Sequence, residues 1–80
     1  MTVKKKVQLR PDLGSIGRRI RQIRGFDLSQ AEFGKILGVS QRQLSKYESG
    51  QSAPTLEVLL RLSAYSGKSI DSLIKGGEEV

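Results

Sequence analysis

Apolar residues recur at helical spacing along most of this chain, in five sets separated by short polar breaks. They are Leu13, Ile16, Ile20 and Ile23; then Phe33, Ile36 and Leu37; then Leu44 and Tyr47; then Leu56, Val58, Leu59, Leu60, Leu62 and Ala64; then Ile70, Leu73 and Ile74. Steps of three and four gather all but the fourth set on one face of a helix, the fourth being apolar over most of its surface, and no alternating run is long enough to suggest a sheet. The breaks carry matching punctuation. Asp12 is a cap for a first helix running to about Arg24. Ser29 with Glu32 is a capping box that starts a second helix, about Gln30 to Leu37. Gly38 stops that helix, and Ser40 with Gln43 forms a second box two residues later. Gly50 is the expected left-handed residue after the third helix. Thr55 caps a strongly apolar fourth helix, expected as the central core helix and ending near Tyr65. Gly67 closes it, and Ser69 starts the last helix. The pattern predicts an all-α fold, a compact bundle of five short helices, with Val39 pointing inward from the tight Gly38-Val39 turn.

The third helix has the most informative face. At about 100° per residue, with Gln41 as zero, Ser45 lies at about 40°, Ser49 at about 80°, Arg42 at about 100° and Lys46 at about 140°. These five share one polar sector carrying two positive charges. Leu44 and Tyr47, at about 300° and about 240°, point the opposite way, toward the core. Glu48, at about 340°, lies between the two, and Gln43, at about 200°, falls at the margin of the polar sector. A solvated helix face would look the same in isolation. The tight turn before the helix favours a surface held out for a groove, since Gln and Arg at the start of such a helix suit the major groove of DNA.

These residues resemble the lambdoid phage repressor and Cro-like (XRE-type) helix-turn-helix domains. The resemblance runs from about Ile16 to Ile74 and rests on Leu28-Ser29-Gln30, Phe33, Gly38-Val39-Ser40, Leu44-Ser45, Tyr47-Glu48, Gly50 and Pro54. The spacing of Glu48, Gly50 and Pro54 after a Gly-Val-Ser turn is its most specific part. Two departures stand out. Gly34 replaces the family's usual Ala, which keeps a small residue for close packing but costs about 1 kcal/mol of helix propensity. The Gly25-Phe26-Asp27 connection is one residue shorter than usual. The resemblance implies a lambda-repressor-like fold over residues 12–75, and the flanking residues themselves suggest a flexible basic arm over 1–11, where Pro11 discourages helix before it, and a frayed tail over 76–80.

It also implies roles. Gln41, Arg42, Ser45 and Lys46 are expected to reach base edges. Arg42 suits the two acceptors of guanine and Gln41 the adenine edge, while Lys46 suits guanine or a phosphate. Gln30, Lys35, Gln43, Ser49 and the backbone amide of Gly50 are expected to hold phosphates, which set register without reading sequence. Gly38, Leu44, Tyr47, Glu48 and Arg24 are structural. In the family, the position of Glu48 often forms a partly buried ion pair with an arginine of the first helix, and Arg24 is that candidate.

Charge sharpens this picture. The chain carries +6 overall, but residues 1–46 hold eleven Lys/Arg against three Asp/Glu, whereas residues 47–80 hold three against five. Solubility does not require such segregation, and a phosphate-facing surface would produce it. Lys4, Lys5 and Lys6 form a basic cluster, either merely solvated or reaching along DNA. Arg18, Arg19 and Arg21 lie off the apolar stripe of the first helix, either solvated or beside the DNA backbone.

Eighty residues make one domain, and a chain of that length buries only about 60% of its unfolded surface. Without Cys or His there is no disulfide framework and no His/Cys metal site, so stability must come from packed helices. No signal peptide and no apolar stretch of membrane-spanning length is present, so a cytoplasmic location is expected. The Gly67-Lys68-Ser69 run fails as a phosphate loop, because Leu62 stands where glycine is needed. Nothing here would activate a nucleophile or hold a metal, so neither an enzyme nor a cofactor is expected.

The favoured function is sequence-specific binding of double-stranded DNA, as a repressor dimer on an inverted repeat. The alternative is an antitoxin or other interaction module whose main partner is a protein, a toxin or a regulator. Ile70, Leu73 and Ile74 either close the monomer core or form the homodimer interface.

Overall fold

The computed structural model describes residues 11–76. They form five helices, α1 (Leu13–Arg24), α2 (Gln30–Leu37), α3 (Gln41–Glu48), α4 (Leu56–Ser66) and α5 (Ile70–Lys75), and no strand occurs among the described residues. The arm expected over 1–11 and the tail expected over 76–80 fall almost wholly outside this range.

Each helix starts on a short polar side chain. Asp12, Ser29, Ser40, Thr55 and Ser69 each accept a hydrogen bond from the backbone N–H three residues on, satisfying a donor the helix itself leaves free. The Ser29 box closes on both sides. The Glu32 N–H donates to Ser29 Oγ at 3.0 Å, and the Ser29 N–H donates to Glu32 Oε1 at 2.9 Å. At Ser40 only the forward half forms, from the Gln43 N–H at 3.0 Å. A neutral amide gains less at the positive end of a helix than a carboxylate does, so the expected return bond is missing. Beyond α3, the Gly50 N–H donates to the Tyr47 carbonyl at 3.1 Å and the Gln51 N–H to the Lys46 carbonyl at 2.9 Å. That pair of bonds needs a left-handed residue, and Gly50 supplies it with φ of 79°.

All five helices contribute to one core: Ile16 and Ile20, Phe33 and Leu37, Leu44 and Tyr47, Val58, Leu59 and Leu62, and Leu73. Leu13, Ile23, Leu28, Val39, Ile70 and Ile74 pack around it. Phe33 is fully buried, with the Tyr65 ring edge-on at 5.2 Å between centroids.

Packing corrects the sequence expectation for α4 and shows that α5 closes the monomer core. The fourth helix is not a central buried rod. Val58, Leu59 and Leu62 face inward, but Leu56 and Leu60 are 66% and 54% exposed. A run of leucines hides this division, because every position in it looks apolar. The last helix closes the monomer. Leu73 is buried, Ile70 and Ile74 pack against the core, and Arg19 of α1 donates to the carbonyls of Leu73 at 2.9 Å and Ile74 at 3.0 Å. A guanidinium at a helix C-terminus meets both unpaired carbonyls and the negative end of the dipole. The apolar residues of α5 therefore serve the monomer core, with Ile70 and Ile74 only partly covered.

Candidate nucleic-acid interface

The helix α3 is anchored from beneath by Leu44 and Tyr47, both buried, and from the side by α1. A Cβ at Gly17 would sit 2.5 Å from the Tyr47 carbonyl oxygen and 2.6 Å from that of Glu48. Glycine at this position is therefore what lets α1 lie against the end of α3. Gly34 does the same for the turn, since a Cβ there would lie 2.7 Å from the Val39 carbonyl oxygen. Together these contacts leave the other side of α3 standing clear of the body.

The residues on that free side are the predicted ones. Gln41, Arg42, Ser45 and Ser49 are exposed, and Lys46 is half-buried. Gln43 is half-buried at the margin, and its N–H is spent on the Ser40 cap. Gly50 follows at the C-terminal end. Lys35 is exposed on α2 but lies roughly 140° around that helix from Gln30, so the fold sets it apart from the others.

At the junction of α1, α2 and α3 lies a polar cluster. Arg24 Nε donates to Glu48 Oε2 at 2.7 Å and its Nη2 to Glu48 Oε1 at 2.9 Å, a bidentate pair with the Glu48 side chain only 6% exposed. Arg24 Nη1 also donates to the Leu28 carbonyl at 3.1 Å, tying down the short connection between α1 and α2. The pair forms across that shortened connection because α1 still ends at Arg24. Gln30 Nε2 donates to Glu48 Oε1 at 3.0 Å. Burial pushes the Glu48 carboxyl up, but the hydrogen bonds from Arg24 and Gln30 and the charges of Arg24 and Arg21 outweigh it, leaving the group below its ordinary value. Arg24 is correspondingly raised by its bond to Glu48. At the N-terminus of α1, Asp12 is held low mainly by hydrogen bonds from the Ser15 N–H and hydroxyl.

Sequence reasoning missed two parts of this arrangement. The bond from Gln30 to Glu48 carries no local signal, because its partners are on different helices. Gly17 did carry one, a glycine inside a helical pattern, which marks a close backbone approach. What the arrangement offers chemically is an exposed polar and cationic helix face on a rigid mount. Among the described residues no group of three or more His, Cys, Asp or Glu is placed to hold a metal. No helix among them is long and apolar enough to cross a membrane.

Known proteins resemble this chain in sequence and in fold. An HTH-type transcriptional regulatory protein of Pyrococcus abyssi is 49% identical over 49 residues, covering 58% of this chain and 15% of that protein. The antitoxin PezA of Streptococcus pneumoniae is 42% identical over 45 residues, covering 55% of this chain and 28% of PezA. The chain thus spans under a third of either relative. The crystal structure of the P22 c2 repressor with a synthetic operator superposes with a TM-score of 0.69 at 40% identity, covering 76% of this chain and 94% of that one. The sequence model of the helix-turn-helix family matches residues 18–73, more than half of the 80, and the chain belongs to that family.

Proposed function

We propose that this chain is a transcriptional regulator that binds double-stranded DNA by laying α3 in the major groove. The observation that carries the reading is the division of α3, with Gln41, Arg42, Ser45 and Ser49 exposed while Leu44 and Tyr47 are buried. A helix whose outward side presents amide, guanidinium and hydroxyl groups matches base edges, which offer hydrogen-bond donors and acceptors. Arg42 and Gln41 read bases, with Ser45 and Lys46 beside them. Gln30, Ser49 and the Gly50 N–H hold phosphates, with Lys35 and Gln43 at the margins. Gln30 serves two ends: one amide hydrogen goes to Glu48, and the other is free for a phosphate. The likeness to a repressor seen with its operator favours repression, and a weak single module favours a dimer on an inverted repeat. The site of action is the cytoplasm, and no cofactor or catalysis is involved.

Selection of bound duplexes from a random pool, with affinity followed against salt, tests this. An enriched inverted repeat with half-sites about 34 Å apart supports a dimeric specific regulator. Within it, Arg42→Ala should cost about 1–3 kcal/mol of discrimination at one base pair. Gln30→Ala should weaken all sequences alike. Equal, sequence-independent losses from both would remove the assignment of roles.

One observation favours a second reading, the match to the antitoxin PezA. In that case a toxin or other protein is the main partner. Binding with no enriched sequence, together with a stable protein complex, would support it.

A further inference from the structure

We propose that Arg18 and Arg21 of α1 form a second phosphate-binding strip, which grips the DNA backbone beyond the C-terminal end of α3. The proposal rests on the DNA-binding reading above and extends it to residues outside the helix-turn-helix itself. Sequence alone leaves Arg18, Arg19 and Arg21 equivalent. The structure separates them. Arg19 is consumed by the carbonyls at the end of α5. Arg18 bonds only the Ser15 hydroxyl, at 3.1 Å, and the Arg21 guanidinium makes no hydrogen bond or ion pair among the described residues. Both are exposed. With Gln22, Arg24, Gly25 and Phe26 they line an open groove of about 590 Å³.

Its position points to phosphate. The same face of α1 packs on the end of α3: Gly17 lies under the Tyr47 and Glu48 carbonyls, and a Cβ at Gly50 would touch Gly14. Arg24 in the groove wall is the partner of Glu48. The charge of Arg21 also acts on Glu48. The eight residues of α3 span roughly 12 Å, about the width of the major groove, so whatever flanks its ends meets the phosphate walls. At the C-terminal end a phosphate would face the negative pole of α3 as well as the Glu48 carboxylate. Arg24 offsets Glu48, and the exposed guanidiniums of Arg21 and Arg18 supply the remaining attraction. A protein partner would be the other candidate, given the fully exposed Phe26 at the rim. The exposed cations beside α3 favour the nucleic acid.

The test compares the full chain with Arg21→Ala, with Arg18→Ala/Arg21→Ala and with Lys68→Ala, a control of equal charge change to the first, on the α4–α5 connection. Each is bound to the duplex that selection yields, between about 50 and about 200 mM salt. The slope of log affinity against log salt should flatten by about 0.9 for each arginine removed, so the affinity lost over that range shrinks by about three- to fourfold per residue. Lys68→Ala should leave the slope unchanged, and melting temperatures verify that all variants are folded. Slopes for the arginine variants equal to that of the original chain would overturn the proposal while leaving α3 as the reader. Equal flattening by Lys68→Ala would also overturn it, by showing a diffuse field rather than contacts. A chain that binds no DNA fails earlier and takes both readings with it.

Discussion

Glu48 shows how one side chain links folding to the candidate site. Its carboxylate is almost wholly buried, accepts two bonds from Arg24 and one from Gln30, and sits at the end of α3. Removing either member of the ion pair leaves the other charge buried alone, so Glu48→Ala and Arg24→Ala should each cost about 3–5 kcal/mol. Urea denaturation of both variants and of the double variant measures this. The double variant should lose clearly less than the sum, because the two losses are one interaction. The pair also makes stability pH-dependent. With the folded value of Glu48 below its unfolded value of about 4.3, its contribution is complete above that pH and is lost as pH falls through the folded value. Glu48→Gln should flatten the stability profile in that acid range, and an unchanged profile would mean that other carboxylates dominate it.

Two glycines of α1, three residues apart, should respond in opposite ways, which makes them a sharp probe of helix packing. At Gly17 a methyl group meets two carbonyl oxygens of α3 at 2.5 and 2.6 Å. Gly17→Ala should therefore push α1 off α3, lowering the melting temperature and weakening DNA binding together. At Gly14 the nearest atoms to an added Cβ are Asp12 Oδ1 at 3.5 Å and Arg18 Nη1 at 3.7 Å, both ordinary contacts. Gly14→Ala should gain about 0.5–1 kcal/mol from helix propensity and the loss of unfolded-state freedom. Thermal melts of the two variants, moving in opposite directions, would establish that α1 bears on α3 at one spot rather than along its length.

The molecule as a whole divides its apolar surface unevenly. The apolar side of α5 closes the core, whereas Leu56 and Leu60 on α4 remain in water one turn apart. If a second copy of the chain completes the DNA-binding unit, this leucine pair is one apolar surface open to it, alongside Phe26, Ile36 and Tyr65. Leu56→Ser/Leu60→Ser should leave the monomer as stable as before and abolish cooperative binding to paired half-sites. Binding to a duplex with one half-site should be unaffected. Sedimentation with and without DNA, alongside titrations of the two duplexes, separates the cases. Retained cooperativity would move the interface elsewhere.

The sequence by itself determined where helices start and stop, and which way α3 faces. Capping residues, stop glycines and the three-to-four spacing act within one or two turns, so they are readable without knowing the fold. The ends of α2 and α3 and the outward sector of Gln41, Arg42, Ser45 and Ser49 follow from them. The partnership of Arg24 and Glu48 was legible only through resemblance, since their separation of 24 residues leaves no local trace. Tertiary structure alone decided the rest. It gave Arg19 to carbonyls 54 and 55 residues away, tied Gln30 to Glu48, and left the Arg21 guanidinium without a partner among the described residues. It also chose which leucines of α4 are buried. Each of these depends on how separate helices cross, and crossing geometry is set by shape and volume in the assembled core, which no short window of the chain contains.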